Sequence, residues 1–508
     1  MTNSSELLPK IRKVLVANRG EIAARVFRTC RAHGLGTVAV YSDADADALH
    51  VAEADEAVHI GPTPSSESYL RVEKIIEAAQ RTGADAIHPG YGFLSERPAL
   101  VEACDAAGII FVGPSVHAMD VMGDKVRARQ AMSAAGVPLV PGREDVERVE
   151  VALEAAKEIG FPLMIKASAG GGGKGMRIVH DEAALRRGFE GAAREALNAF
   201  GDGRVFVERA VMRARHVEIQ LIADSHGKVL YLNERDCSVQ RRHQKVIEEA
   251  PCPSPQMTPA VRKAMGEVAV KVAQAVDYVG AGTVEFLFEE TPEGPRFYFL
   301  EMNTRLQVEH PVTEAITGRD LVWDQLRVAA GLPLDYDQAD LEPRGHAVEC
   351  RIYAEDPIKF LPSPGRITRL RWPQGSNLRI DAAVTEGSEV SSHYDPMIAK
   401  VTVWGATREA AIDRMRRALS DTVILGIDTN LAFHRRVLAE PDFRAGEFTT
   451  RYIDEHPGVV TPFELDEDTS RAVAAAAASA VSTGATSRRT SGETAGISAW
   501  QQAQRWRS

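Results

Sequence analysis

Apolar runs separated by a helical pattern of apolar positions predict a parallel sheet at the start of the chain. Residues 13–17 form a short apolar run, and apolar side chains then recur at helical spacing over residues 22–30, with Gly34 as the expected end of the helix. Residues 37–41 form a second apolar run. Because strand, helix and strand follow in this order, we expect a parallel sheet flanked by helices. No Gly-x-Gly-x-x-Gly follows the first strand, so the dinucleotide-binding motif is missing.

A later pair of apolar stretches predicts an antiparallel hairpin. Residues 283–288 and 297–301 favour strands, and residues 289–296 between them are rich in turn-forming Pro and Gly. If Phe288 pairs with Tyr298, the two strands lie in a register that also opposes two acidic residues. These are the residues at positions 285 and 301, both glutamates.

The opposed glutamates indicate a metal site. Two like charges across a sheet are unfavourable, and a divalent cation between Glu285 and Glu301 would reverse that repulsion. Carboxylate and amide oxygens suit Mg²⁺ or Mn²⁺. The alternative is that both carboxylates are solvated at a sheet edge. Asn303 and Arg305, expected on the same face, favour contact with metal and phosphate.

Residues 301–310, EMNTRLQVEH, are interpreted as an active-site strand. If they continue the hairpin, alternate side chains share a face. The first face would carry groups suited to metal and anion contact, namely Glu301, Asn303, Arg305, Gln307 and Glu309. The opposite face would carry Met302, Leu306 and Val308.

A glycine-rich segment is predicted to close over phosphates. Residues 161–167 and 176–179 favour strands, and Gly170 to Gly175 with Lys174 lies between them. The following strand excludes a Rossmann fold, and the residue types exclude a P-loop. Bare backbone N–H groups at such a hairpin tip can surround phosphates, with Lys166 and Lys174 supplying charge. A plain surface loop is the alternative.

Two further segments carry candidate binding groups. Residues 234–245 are dense in cations but interleaved with acids and lack stacking aromatics, which favours a small-anion pocket over nucleic-acid binding. Residues 88–93, HPGYGF, follow a predicted strand at the sheet edge where such folds bind ligands. A plain Pro-Gly turn is the more economical interpretation of this loop by itself.

Composition limits the class of protein. A chain of 508 residues exceeds a single core, and its net charge of −11 argues against general nucleic-acid binding. Its five scattered cysteines fit a reducing cytoplasm rather than a disulfide scaffold. No secretory signal or membrane span is expected, since the apolar run 472–478 is too short. Residues 466–495 are rich in Ala, Ser, Thr and Gly and are interpreted as a disordered or linker segment.

These motifs together resemble a biotin carboxylase of the ATP-grasp superfamily. The resemblance runs from about Lys13 to about Phe463 and is carried by the segments 161–179, 234–251, 301–313 and 346–351. It implies an α/β and α+β protein with an ATP-grasp fold: an N-terminal pre-ATP-grasp α/β domain, a mobile glycine-rich lid and a C-terminal antiparallel-sheet domain. The expected parts are residues 1–112, linker helices 113–139, the lid 140–211, residues 212–465 and a low-complexity tail 466–508.

The resemblance also implies site residues. Expected ATP contacts are Lys125, Lys166, Gly170, Gly171, Gly172, Gly173, Gly175, Glu208, Arg209, Val211, His216, His243, Glu285 and Glu301, with Glu285, Glu301 and Asn303 as metal ligands. Expected bicarbonate and biotin contacts are Lys245, Arg305, Gln307, Val308, Tyr91, Gly92, Gln240 and Arg351. Relatives often carry Lys at the position of Arg209, which matters little if backbone atoms hold adenine.

The chemistry implied by the resemblance is carboxylation of biotin. Glu309 would deprotonate bicarbonate while Lys245 and Arg305 grip it, carboxyphosphate would form from ATP, and Arg351 would stabilise the biotin enolate. No Met is followed by Lys, so the Met-Lys-Met motif of a biotin carrier is missing. We therefore expect a separate biotin carboxyl carrier protein or domain, a carboxyltransferase subunit, and a homodimer.

Two other function classes remain open at this point. One is an ATP-grasp ligase that activates a different carboxylate. The other is a non-catalytic nucleotide-binding subunit that scaffolds a carboxylase complex. The second would normally have lost polar residues between Glu301 and Glu309, and none are lost.

Overall fold

The computed structural model describes residues 8, 10–167, 177–200, 203–241, 244–461 and 466–476. Residues 1–460 form one compact unit, and residues 461–508 form a second unit. Within the second unit, residues 467–476 are helical. The expectation of disorder over residues 466–495 is therefore wrong for that helical stretch, where Ala-rich sequence favours a helix. Whether the segment is a linker stays a prediction, and residues 477–495 lie outside the described residues.

The N-terminal part is the parallel sheet predicted from the apolar pattern. Five strands lie in the order β3-β2-β1-β4-β5, and every neighbouring pair is parallel. The strands are Lys13–Val16 (β1), Gly36–Ser42 (β2), Glu56–Gly61 (β3), Ala86–His88 (β4) and Ile110–Phe111 (β5). The accompanying helices are Gly20–Ala32, Leu49–Glu53, Val72–Thr82 and Pro98–Ala107, followed by Val116–Gly123 and Lys125–Ala134.

The second part is a four-stranded antiparallel sheet in the order β6-β9-β7-β8. Its strands are Gly142–Val146 (β6), Leu163–Ala167 (β7), Arg177–Val179 (β8) and Val205–Arg209 (β9), and its helices are Val149–Ile159 and Glu182–Phe200. The antiparallel pairing of β7 and β8 confirms that a strand, not a helix, follows the glycine-rich segment. The segment itself, with Gly170, Gly171, Gly172, Gly173, Lys174 and Gly175, lies outside the described residues.

The third part is built on an eight-stranded sheet in the order β14-β13-β10-β11-β12-β15-β20-β18. Its strands are Ala214–Ala223 (β10), Val229–Arg241 (β11), Gln244–Ala250 (β12), Gly280–Glu289 (β13), Arg296–Asn303 (β14), His346–Tyr353 (β15), Leu378–Ala382 (β18) and Met397–Gly405 (β20). The third part also contains two separate two-stranded sheets, β16-β19 and β17-β21. Their strands are Gly365–Arg366 (β16), Arg369–Arg371 (β17), Glu389–Val390 (β19) and Val423–Leu425 (β21). Its helices are Pro259–Gln274, His310–Thr317, Leu321–Ala329, Arg408–Asp421, Leu431–Val437, Pro441–Ala445 and Tyr452–Glu455.

The hairpin of β13 and β14 contains a bulge that the sequence did not reveal. Glu285 lies opposite Glu301 as predicted, but Phe288 pairs with Phe297, so the predicted pairing with Tyr298 is wrong. The register shifts next to Glu285, which leaves Leu300 as the extra residue. The predicted register therefore holds from Thr283 to Glu285, and the pairs between the bulge and the turn are offset by one residue.

The predicted strand over residues 301–310 is correct only as far as Asn303. Residues 304–309 form a loop, and a helix begins at His310 with Pro311 in its first turn. Proline is well tolerated there because the first helical N–H groups have no intrahelical partner. Leu306 is fully buried in the N-terminal core cluster, so the chain leaves the sheet to reach it.

Among the described residues, no helix is both long and apolar enough to cross a membrane.

Candidate active site

A half-buried lysine, Lys245, lies at the centre of the candidate site. The Nζ atom of Lys245 is 2.6 Å from an oxygen of Glu218, 2.9 Å from an oxygen of Glu285 and 2.6 Å from an oxygen of Glu309. Three carboxylates thus share one ammonium group. The four side chains come from β12, β10, β13 and the loop before helix His310–Thr317, so the site depends on the assembled fold.

Cross-strand register explains why these charges meet. Glu218 lies opposite both Arg235 and Glu285, and Glu285 lies opposite Glu301, so four strands place one charged residue each in a single row. Residues directly opposed in a sheet bring their side chains within about 5 Å of one another. The row contains three carboxylates and one guanidinium. It therefore holds an excess of negative charge, which Lys245 offsets from β12.

Arg235 fixes the floor of the site. Its guanidinium is fully buried and donates to Glu218, to Gln220, and to the side-chain oxygen of Gln307 at 2.6 Å. Gln307 in turn donates to Glu285 at 2.8 Å. A buried guanidinium with this many acceptors is held in one geometry, so Gln307 and Glu285 are held with it.

The cations set the protonation states of the carboxyl groups. Burial raises the pKa of Glu285 and Glu309, but nearby cations together more than offset this and hold both pKa values below their ordinary range. These are Lys245 and His216 for Glu285, and Lys245, Arg351 and Arg235 for Glu309. The pKa of Glu301 is shifted in the opposite direction. Although its side chain is solvent-accessible, the surrounding protein atoms, and next the carboxylate of Glu285, raise its pKa. Glu309 is therefore an ionised proton acceptor at neutral pH.

Arg351 holds the other side of Glu309. Its Nη2 donates to Glu309 at 3.0 Å, and its Nε donates to Glu248 at 2.5 Å. The backbone carbonyl of Arg351 accepts from the Asn430 amide at 2.9 Å and contacts the His434 ring at 2.7 Å. The carboxylate of Glu309 thus bridges Lys245 and Arg351, one oxygen accepting from each, and is held in one orientation between the two cations.

Arg305 lies apart from this centre. It donates to Glu96 of the N-terminal part at 3.0 Å and to the amide oxygen of Asn303 at 2.7 Å. The guanidinium of Arg305 is thus held by Glu96 and Asn303, and its expected contact with bicarbonate stays a prediction. Its place at the rim follows from the end of the strand at Asn303, after which face alternation no longer applies.

A cavity of about 560 Å³ adjoins the charged row. Its lining includes Glu301, Asn303, Lys125 and Lys166 together with apolar side chains. Gly92 and Glu208, also expected in the site from the sequence, line it as well. A cavity of this size with two lysines in its lining suits a nucleotide. Lys166 is ion-paired to Glu208 within it.

The remaining predicted nucleotide contacts are placed as follows. Arg209 turns its side chain to Glu289 at 2.8 Å and to the Tyr298 hydroxyl at 2.9 Å, and it does not line the cavity. That agrees with a contact through backbone atoms only. Val211 is half-buried. His216 lies 3.1 Å from Glu285. Burial lowers the pKa of His216, but its interactions with Glu285 and Glu218 together outweigh burial and raise that pKa to about 9.

The predicted biotin contacts are only partly brought together. The Tyr91 ring lies 5.8 Å from the Nζ of Lys400, which donates to the carbonyl of Val308 at 2.5 Å. Tyr91 therefore adjoins the loop that carries Glu309. Gln240 donates to the carbonyl of Cys237 at 2.9 Å. His243 lies outside the described residues.

The residues assigned to a metal fit a hard cation. Glu285 and Glu301 present opposed carboxylates beside the cavity, and Asn303 adds an amide that donates to Glu285 at 2.9 Å. Burial, and next the carboxylate of Glu285, raise the pKa of Glu301. A divalent ion between the two carboxylates would relieve their repulsion. His216, Glu218 and Glu285 also bring ligand atoms together, but His216 is protonated there at neutral pH.

Several residues of the site were missed from the sequence. Glu218, Arg235 and Glu248 were not assigned a role, nor was Lys400. The sequence did contain a signal for Glu218. Positions 216, 218 and 220 are all polar and lie on one face of a strand that is buried throughout. Lys400 and Glu248 gave no local signal because their partners are far away in the sequence.

Comparisons with known proteins cover nearly the whole described chain. The family model described as biotin carboxylase, N-terminal domain, matches residues 10–119, and the biotin carboxylase C-terminal domain matches residues 349–455. The model described as carbamoyl-phosphate synthase L chain, ATP binding domain, matches residues 124–337.

Individual relatives agree with these models. The propionyl-CoA carboxylase alpha chain of Ruegeria pomeroyi is 51% identical over 489 residues, covering 92% of this chain and 71% of that protein. Biotin carboxylase 1 of Bacillus subtilis is 51% identical over 448 residues, covering 88% and 99%. Among solved structures, the biotin carboxylase domain dimer of Hydrogenobacter thermophilus 2-oxoglutarate carboxylase, in complex with MgADP, ADP and bicarbonate, has a TM-score of 0.82 and 47% identity, covering 90% of this chain and 100% of that chain. The family resemblance and the ATP-grasp architecture inferred from the sequence are both confirmed.

Proposed function

This chain belongs to the biotin carboxylase family of ATP-dependent ligases, and from that premise we propose that it carboxylates carrier-bound biotin as one component of an acyl-CoA carboxylase. The observation that carries the proposal is the bridged carboxylate of Glu309, held between Lys245 and Arg351. This arrangement offers a proton acceptor beside two cations, which is what a bicarbonate nucleophile and a developing enolate both require.

The first partial reaction joins bicarbonate to phosphate. Lys245 holds the bicarbonate anion, with Gln307 nearby, and Glu309 accepts the proton of its O–H group. The freed oxygen attacks the γ-phosphorus of ATP, the bond between the γ-phosphorus and the bridging oxygen breaks, and ADP leaves. The product is carboxyphosphate.

The second partial reaction transfers CO₂ to biotin. Carboxyphosphate divides into CO₂ and phosphate, and the phosphate takes the ureido N–H proton of biotin. The nitrogen then attacks CO₂, while Arg351 stabilises the negative charge on the ureido oxygen. The buried guanidinium is already oriented by Glu248 and Glu309, so little reorganisation is required.

Nucleotide binding is assigned to the adjoining cavity. Lys125 and Lys166 would hold phosphates, with the glycine-rich segment closing over them, and Glu285, Glu301 and Asn303 would hold Mg²⁺ or Mn²⁺. The metal, when bound, neutralises phosphate charge during transfer. The binding of MgADP and bicarbonate by the H. thermophilus domain supports this assignment.

Partners are proposed from the relatives. These include the propionyl-CoA carboxylase alpha chain of R. pomeroyi and a pyruvate carboxylase component of Methanothermobacter thermautotrophicus, so we place this chain with a biotin carboxyl carrier protein or domain and a carboxyltransferase. The final acceptor is proposed to be an acyl-CoA of the acetyl or propionyl type. Because the H. thermophilus domain is a dimer, a homodimer is proposed for this chain.

The test is ADP formation by the full chain with Mg²⁺ and ATP, with and without bicarbonate and free biotin. We expect ADP formation to require bicarbonate and to rise with biotin, and labelled bicarbonate to enter carboxybiotin. ADP formation that responds to another carboxylic acid instead would indicate a different ATP-grasp ligase. Nucleotide binding without turnover would indicate a scaffold role.

A further inference from the structure

A second carboxyl pair lies behind Arg351 and is not used in the proposed reaction. Glu248 of β12 and Glu349 of β15 are directly opposite each other, and both side chains are fully buried. Arg351 follows Glu349 by two residues on the same strand and therefore lies on the same face. The guanidinium thus adjoins two carboxyl groups of the sheet itself.

Each member of the pair uses only one of its oxygens. Glu248 accepts from Arg351 through Oε1 at 2.5 Å, and Glu349 accepts from the Thr402 hydroxyl through Oε2 at 2.6 Å. The other oxygens, Oε2 of Glu248 and Oε1 of Glu349, are buried and without a hydrogen-bond partner among the described residues. Because Glu248 and Glu349 are directly opposed, one proton held between them would satisfy both unpartnered oxygens.

We propose that Glu248 and Glu349 share one proton, and that this singly charged pair is the positioning element for the guanidinium of Arg351. The inference rests on the proposed function in one respect, the role of Arg351 in biotin carboxylation. Glu248 accepts the hydrogen bond from the Nε of Arg351. The shared proton prevents Glu349 from adding a second negative charge next to the Arg351 guanidinium.

The surrounding charges are consistent with a retained proton. Burial is the main cause that raises the pKa of Glu248 and of Glu349, against the attraction of Arg351 and Lys400 respectively. The groups that face the pair from its own and neighbouring elements are Arg351, Tyr353, Glu309, Cys237, Lys400, Asp381 and Thr402. Two of these are additional carboxylates, which further disfavours a doubly ionised pair.

The consequence concerns only the biotin half of the reaction. When the pair carries only one negative charge, the net charge around Arg351 stays favourable for stabilising the developing enolate. When the pH rises and the shared proton is lost, a second carboxylate offsets that charge. Biotin carboxylation should therefore fall at alkaline pH while bicarbonate-dependent ADP formation, which relies on Lys245 and Glu309, falls less.

The experiment compares Glu248→Gln and Glu349→Gln in the full chain. A glutamine at position 349 can donate an amide N–H permanently where the shared proton lies, so we expect the alkaline fall in the ratio of carboxybiotin to ADP to disappear. A glutamine at position 248 leaves a neutral, weaker acceptor on Arg351, so we expect that ratio to drop about tenfold at all pH values. The control is Glu249→Gln, a buried, ion-paired glutamate on the opposite face of the same strand.

A second measurement does not depend on activity. Infrared difference spectra between neutral and alkaline pH are recorded in a Glu21→Gln background, because Glu21 also has a raised pKa, of about 7. They should show a protonated carboxyl band in this background alone and with Glu249→Gln, and not with either pair variant. An alkaline fall that persists in Glu349→Gln, an equal loss of both partial reactions in Glu248→Gln, or a band that survives both substitutions would overturn the inference. Wild-type protein without bicarbonate-dependent ADP formation would instead remove the proposed function, and the infrared band would still decide the carboxyl pair.

Discussion

At the scale of single residues, the role of Glu309 as the base gives a direct test by substitution. Its carboxylate is bridged by Lys245 and Arg351 and is ionised at neutral pH. Glu309→Gln preserves shape but cannot accept the bicarbonate proton. We expect bicarbonate-dependent ADP formation to fall by about 10²–10⁴-fold.

The matched control for that substitution is Glu234→Gln. Glu234 is also a buried carboxylate, paired with Arg262 at 2.5 Å and outside the candidate site. The control should lose stability without losing turnover, as judged by thermal melting beside the ADP assay. Activity of Glu309→Gln close to that of the wild type would remove Glu309 from the role of base.

Arg351 separates the two partial reactions. Arg351→Ser removes the guanidinium that faces the enolate but leaves Lys245 on Glu309. Biotin carboxylation should therefore decrease at least tenfold more than bicarbonate-dependent ADP formation. Carboxybiotin and ADP measured in the same samples check this, and an equal decrease in both would contradict the division of roles.

The limits of sequence-based prediction are clear at this scale. The predicted hairpin register placed Glu285 opposite Glu301, and the two residues do pair. It could not predict that Arg235 would be the buried partner of Gln307, because that contact joins residues 72 positions apart. Local pattern indicates which face a side chain occupies, whereas its partner is chosen by the packing of distant strands.

At the scale of elements, the loop over residues 304–309 is the part that depends most on tertiary support. It connects β14 to helix His310–Thr317 and carries Gln307 and Glu309. The sequence predicted a continuous strand here, since polar and apolar residues alternate throughout. The strand ends because Pro311 favours a helix start and Leu306 is drawn into the N-terminal core. Periodicity alone does not contain either influence.

Lys400 is expected to hold that loop in place. Its fully buried ammonium donates to the carbonyl of Val308 at 2.5 Å. Lys400→Met keeps the aliphatic stem but leaves the carbonyl unsatisfied, which costs about 1–3 kcal/mol. We expect the KM for bicarbonate to rise about tenfold while the KM for ATP changes little.

Steady-state kinetics with each substrate varied in turn checks this, and Lys228→Met is the control. Lys228 also bonds backbone carbonyls, those of Leu334 and Tyr336, but far from the loop. Parallel changes in both KM values for Lys400→Met would indicate general destabilisation and would contradict an anchoring role.

At the scale of the whole molecule, the same lysine ties distant parts of the chain together. Glu21, in helix Gly20–Ala32 of the N-terminal part, lies 3.5 Å from the Lys400 ammonium on β20. Both oxygens of Glu21 are buried without a hydrogen-bond partner among the described residues. The order of the three parts followed from the sequence motifs, but this junction did not, because it joins residues that share no local pattern.

The junction gives the protein a predictable dependence of stability on pH. Burial raises the pKa of Glu21 from 4.5 to about 7, although Lys400 opposes the change. A carboxyl group with a raised folded-state pKa stabilises the fold fully below its unfolded pKa, and that contribution is lost as pH rises through about 7. The shift corresponds to about 3 kcal/mol. Glu21→Gln cannot ionise, so its melting temperature relative to that of the wild type should increase between pH ~5 and pH ~8, the range of the titration. Melting curves of both proteins across that range test the junction, and a constant difference would show that Glu21 does not titrate within the folded molecule.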